Sequence, residues 1–146
     1  MANELNTGTY GIDHVGLSVR DLASSRKFFC DCLGWRVVGE RPDYPAAFVS
    51  DGHFVLTLWQ VESPDTAIAF DRRANVGLHH LAIAVIDRAS LDSLYQRVSG
   101  WPGVVVEFGP QPSGAGPRIH FIVREPSGVR IEFVFDPGKE NARKAA

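Results

Sequence analysis

The chain has 146 residues, 45% of them apolar and 22% charged, with a formal net charge of -2. That length suits one domain with a real core, and so small a net charge gives no basis for a nucleic-acid or anionic-membrane partner. With no long apolar span and a polar start, "MANELNTGTYG", the expectation is a soluble, cytoplasmic protein.

In chain order, "IDHVGLSV" alternates apolar and small or polar residues and predicts a strand. Asp21 can cap the helix that follows, "LASSRKFFCDCLG", which stops at Gly34. Three strands come next, at about 36–40, 46–50 and 54–61, the last two joined by the turn "SDG". After the connector "ESPDTAIAFDRRANVG", the same order returns. "HHLAIAV" predicts a strand, Asp87 caps "RASLDSLYQRVSG", and Gly100 ends it. Strands at about 104–108, 119–124 and 129–135 complete the second set, with "EPSG" as the final turn. The C-terminal "PGKENARKAA" is polar and predicts a frayed tail.

The two halves repeat. "HVGLSVRDLASS" lies over "HLAIAVIDRASL" at an offset of 80 - 14 = 66, and "SDGHFVLTLW" lies over "PSGVRIEFVF" at 128 - 52 = 76. Ten extra residues in the second copy are then expected around "GPQPSGAGP". The reading is an α+β fold of two βαβββ modules, at about 10–61 and 77–136. Residues 62–76 link them, and 137–146 form the tail. A curved mixed sheet would surround a cleft, with the helices on its outer face.

Alternation along a strand sorts the faces. Val15, Leu17 and Val19 form one core row, and Leu81, Ile83 and Val85 another. The opposite rows, His14–Gly16–Ser18 and His80–Ala82–Ala84, are small enough to floor a cleft. Ile131, Phe133 and Phe135 place Glu132 on that same side, while His79 goes to the other side with Leu81. A carboxylate between two core residues needs a partner. Arg118 or Arg130 would serve, and so would a divalent metal held by His14, His80 and Glu132. Two histidines and a carboxylate suit Fe, Mn, Ni or Zn. The offset of 76 sets Leu56 opposite Glu132, an apolar fourth corner that would touch substrate. Cys30 and Cys32, two apart on a helix, do not face each other and read as buried or half-buried spectators.

The pattern from "DHVGLSVRDLASSRKFFCDCLGW" through "LHHLAIAV" to "EPSGVRIEFVF" resembles the vicinal oxygen chelate superfamily: glyoxalase I, bleomycin and fosfomycin resistance proteins, methylmalonyl-CoA epimerase and extradiol dioxygenases. The resemblance implies a divalent metal on His14, His80 and Glu132. It also implies a small-molecule substrate chelated through vicinal oxygens, and a homodimer in which some members build the site from two chains. Leu56 departs from glyoxalase I and the epimerases, which have Glu or Gln there, and so points to a dioxygenase-like or lyase-like reaction. His120, on the cleft row of its strand, is the candidate proton carrier. Arg118 and Arg124 share that row and are candidates for holding an anionic substrate group. The alternative within the superfamily is a resistance-type protein that binds a small molecule without turnover.

Overall fold

The computed structural model describes residues 8–141; the polar start and the last five residues of the tail lie outside them. Two mixed four-stranded sheets make up the α+β fold. In the first sheet β1 (Val15–Val19), β2 (Arg36–Arg41), β3 (Ala46–Ser50) and β4 (Val55–Gln60) stand in the order β1-β4-β3-β2. The second repeats that order: β5 (Leu81–Val85), β6 (Val105–Pro112), β7 (Ile119–Arg124) and β8 (Arg130–Phe135) stand as β5-β8-β7-β6. Only β1–β4 and β5–β8 are parallel, because a helix must cross over between β1 and β2 and between β5 and β6.

The two helices start alike. Asp21 accepts from the Ser24 amide at 3.1 Å before α1 (Leu22–Lys27), and Asp87 accepts from the Ser90 amide at 2.8 Å before α2 (Arg88–Ser99). They continue differently. The expected single helix to Gly34 widens at Phe28–Cys32 into a π-helical turn, where the Leu33 amide donates to the Phe28 carbonyl, five residues back. Phe28, Phe29 and Cys32 of this turn all point inward at 0–1% exposure.

Each helix covers the side of its sheet opposite the His-bearing row. Leu17, Val19, Phe121, Val123, Ile131 and Phe133 join Phe28, Phe29, Leu91 and Val98 in one core. The small residues Gly16, Ser18, Ala82 and Ala84 remain exposed, as alternation requires. β6 runs longer than expected, through Pro112, with register shifts between Val106 and Gln111. The extra residues of the second module therefore extend a bulged hairpin rather than forming a plain loop.

The pairing register corrects one equivalence. Gly16 pairs with Thr57 and Ala82 pairs with Glu132. Because Gly16 and Ala82 are related by the offset of 66, Thr57 is the counterpart of Glu132, and Leu56 is the counterpart of Ile131. The reason is the last turn. Four residues separate the pair Ser50–Val55, but five separate Arg124–Arg130, so an alignment on Gly52 and Gly128 is one residue out along β4. A one-residue slip moves a side chain to the other face.

Candidate functional site

β8 carries Glu132 between Ile131 and Phe133, both within the core. Its carboxylate is 11% exposed and is flanked by two imidazoles. His80 Nε2 lies 3.0 Å from Oε2, and His120 Nδ1 lies 2.5 Å from Oε1. His120 reaches Glu132 because the register places Ile122 opposite Glu132, so His120 lies one diagonal step along the same face. Phe108 on β6 covers His120, with ring centroids 5.0 Å apart. Neither arginine weighed as a partner for Glu132 takes that role. Arg130 pairs with Glu107 at 2.8 Å, and Arg118 lies 3.8 Å from Asp136.

His79 and His80 do not point apart. Strand alternation begins only at Leu81, so the two residues before it are free to turn. His79 Nδ1 lies 2.7 Å from His80 Nδ1, with the rings edge to face, and Arg130 donates to the His79 carbonyl at 3.1 Å. Desolvation, followed by the Arg130 charge, lowers the His79 pKa and favours its neutral form. His79 therefore holds one nitrogen of His80 and leaves the other facing Glu132.

His14 stands elsewhere, at the start of β1. Its Nδ1 is 2.6 Å from Asp13 Oδ2, and it lines a cavity of about 360 Å³ with Arg41, Phe48, Val55, Thr57 and Trp59. The Thr57 hydroxyl accepts from the Trp59 indole at 2.8 Å. Tyr44 and Phe48 pack against Trp59 with centroids 5.2 and 5.7 Å away, making an aromatic wall beside His14. Leu56 is not on this surface; it is fully buried in the core. Thr57 and Phe48, which line this cavity, are not singled out by the sequence, and Trp59, which reads there as a packing residue, stands beside them. The T-x-W alternation on β4 carried the signal, but the one-residue register error hid it.

The candidate residues thus fall into two half-sites. His80, His120 and Glu132 meet on the second module, while His14 and Thr57 face a separate cavity on the first. Among the described residues, no group of three or more His, Cys, Asp or Glu side chains converges on a point that could hold a metal ion. Arg124 lies 3.7 Å from Glu107 at the far end of the β7–β8 face. Cys30 and Cys32 are free thiols, half-buried and buried, and burial raises both pKa values, which favours the protonated form.

Residues 11–133 match the family model described as Glyoxalase/Bleomycin resistance protein/Dioxygenase superfamily. The chain belongs to this superfamily. A catechol-2,3-dioxygenase of Bacillus subtilis (strain 168) is 33% identical over 81 residues, 53% of the chain; the match spans 27% of that relative's length. The fold is similar to a glyoxylase/bleomycin resistance protein/dioxygenase domain from Frankia sp. EAN1pec, with a TM-score of 0.73, 24% identity and coverage of 92% of this chain and 98% of that one. It is also similar to a lactoylglutathione lyase from Agrobacterium tumefaciens, with a TM-score of 0.65, 22% identity and coverage of 87% and 94%.

The donor set of this superfamily member fits a divalent ion in part. Two donors bound at about 2.1 Å at the right angle of an octahedral site stand roughly 3 Å apart, which is the spacing of His80 Nε2 and Glu132 Oε2. Both repeat-related histidines have Nδ1 engaged, His80 by His79 and His14 by Asp13. Such outer partners fix a ligand imidazole and present its Nε2. Among the described residues, no further His, Cys, Asp or Glu side chain of the same chain completes a metal-holding group there.

Proposed function

We propose that this chain is a metal-dependent enzyme of the superfamily, acting on a small organic substrate with two neighbouring oxygens. His80 and Glu132 of one copy and His14 of a second copy would hold the metal. The carrying observation is the His80–Glu132–His120 set, a nearly buried carboxylate whose only side-chain partners among the described residues are two imidazoles. Superfamily members typically use divalent metals, and such an ion would polarise the substrate oxygens and stabilise the enolate or catecholate that forms.

The chain's own residues supply the rest. His120 fixes the Glu132 carboxylate through Nδ1 and keeps its second nitrogen for carrying a proton to or from bound substrate. Thr57, where a symmetric site would repeat Glu132, is neutral and already accepts from Trp59. It cannot act as a base at neutral pH, which places the proton work on His120. The absence of a fourth carboxylate and the aromatic wall of Tyr44, Phe48 and Trp59 favour a planar substrate and dioxygenase-type chemistry over a glutathione-dependent isomerisation. Metal analysis of the purified protein tests this reading. About one divalent ion per chain is expected, with most of it lost in His80→Ala. A protein with no bound metal, or with the same metal content after that replacement, would sink the proposal.

The aromatic wall also favours a second reading, a resistance-type protein that sequesters a flat molecule. Binding of such a molecule that persists after EDTA treatment, without turnover in the metal-loaded protein, would support it.

A further inference from the structure

Three arginines from three separate segments surround one carboxylate, that of Glu107. Arg130 on β8 grips Glu107 with Nε at 3.0 and 3.1 Å and with a terminal nitrogen at 2.8 Å. Arg124, its cross-strand neighbour on β7, stands 3.7 Å from Glu107. Arg72 comes from the connector and stands 3.9 Å away. The connector delivers it through a turn fixed by Asp71, whose amide donates to Asn75 and whose carboxylate accepts from the Arg73 amide, each at 2.8 Å.

The charges do not balance. One carboxylate faces three guanidinium groups, leaving an excess of two positive charges. Arg130, at 9% exposure, spends its donors on Glu107 and on the His79 carbonyl. Arg124 and Arg72, at 49% and 36% exposure, lie beyond hydrogen-bond length from Glu107 and donate no hydrogen bond among the described residues. A structural ion pair needs only Arg130. The two further guanidiniums, each a rigid fork of donors, are unspent.

Their surroundings are amphipathic. Arg124 and Arg130 line a cleft of about 400 Å³ whose other walls include Gly16, Phe70, Val76 and Leu78, while Arg72 stands outside that lining, beside Glu107. Phe70 is held there by Gly77, where an added Cβ would stand 2.9 Å from the ring. Arg130 lies two residues before Glu132 on the same face of β8, about 7 Å along the strand at roughly 3.3 Å per residue.

We propose that Arg72 and Arg124, anchored by Arg130 and Glu107, form a receptor for the anionic group of a small organic acid. The apolar body of the acid lies along Phe70, Val76 and Leu78. Its carboxylate takes the free N–H donors, and its other end reaches the His80–Glu132 side of the sheet. Calling this acid the substrate rests on the metal-site reading above; the anion receptor itself does not.

The test uses phenylacetate and its neutral analogue phenylacetamide, titrated calorimetrically into the metal-free full chain. Phenylacetate should bind saturably, and phenylacetamide at least about 10-fold more weakly, because a charge-assisted pair is lost. Arg124→Ala and Arg72→Ala should each weaken phenylacetate about 5-fold or more. Both side chains are part-exposed, so unchanged circular dichroism should confirm that the variants fold. Higher salt should weaken phenylacetate and leave phenylacetamide unchanged. Equal binding of the two probes, no binding of either, or indifference to both arginine replacements overturns the receptor. Because no metal is present, loss of the metal site would leave this result standing, and the reverse also holds.

Discussion

At the turn between β7 and β8, Glu125 is 1% exposed, yet it is a carboxylate. It accepts from the Ser25 hydroxyl of α1 at 2.7 Å and from the Ser127 and Val129 amides at 2.9 and 3.1 Å. Ser127 in turn accepts from the Arg20 amide at 3.0 Å, so one side chain ties the end of β8 to the first module. Desolvation raises the Glu125 pKa above its ordinary value of 4.5, against the lowering effect of these hydrogen bonds. In the window between the ordinary and the raised value, the folded state binds more protons than the unfolded state. Stability at this group therefore falls as pH rises through that window. Glu125→Gln keeps the acceptor oxygen for both amides, so its melting temperature should lose that slope and match or exceed wild type near neutral pH. Glu125→Ala leaves buried donors unpaired and should cost about 1–3 kcal/mol for each, read from urea unfolding. At the proposed metal site, loss of the His120 hydrogen bond leaves Glu132 less fixed, and His120→Ala should weaken metal affinity about 10–100-fold while the fold stays intact. Unchanged affinity would remove His120 from the site.

The elements were read from caps and alternation, and those signals act locally, so they survived. Asp21 and Asp87 hold the amides of Ser24 and Ser90, and replacing either by Ala should cost about 1 kcal/mol of stability in a denaturant titration. The Ser24 amide holds the Asp21 carboxyl below its ordinary value, so its cap contribution is present above the unfolded pKa and fades as pH falls through the lowered one. At low pH, wild type and Asp21→Ala should therefore converge in stability. Other features depend on non-local geometry and were not legible. The π-helical turn at Phe28–Cys32 has no marker in the local apolar pattern, which suits a regular helix equally well. The β4 register depends on the length of a turn, and four residues against five sufficed to exchange Thr57 for Leu56. Glu132 and His80 were legible because a polar residue in an apolar row and a repeated histidine are both visible in one dimension. The contact between His79 and His80 was not, because they precede the strand whose alternation was used to separate them.

At the scale of the whole molecule, each module presents its small-residue row to the outside while the helices and core rows pack together. Gly16, Ser18, Ala82 and Ala84 are exposed, and so are Ile12, Val76 and Ile86 around them. His14, a ligand in the proposed metal site, is 52% exposed at its side chain beside an aromatic wall, so under that proposal it needs another surface to close on it. In the proposed enzyme that surface is the His80–Glu132 face of a second copy, and each site then draws on two chains. Mixing tests the arrangement directly. His14→Ala homodimers and His80→Ala homodimers would each lack one ligand in every site. Unfolded and refolded together, half of the dimers should be mixed, and each mixed dimer has one site with both substitutions and one with neither. Metal binding at wild-type affinity should therefore return to about a quarter of the wild-type amount in a C2 pair. A site built within a single chain would give no recovery, because every chain would still carry a broken site. Recovery to about a quarter, read by equilibrium dialysis of the refolded mixture, would assign the ligands to two chains.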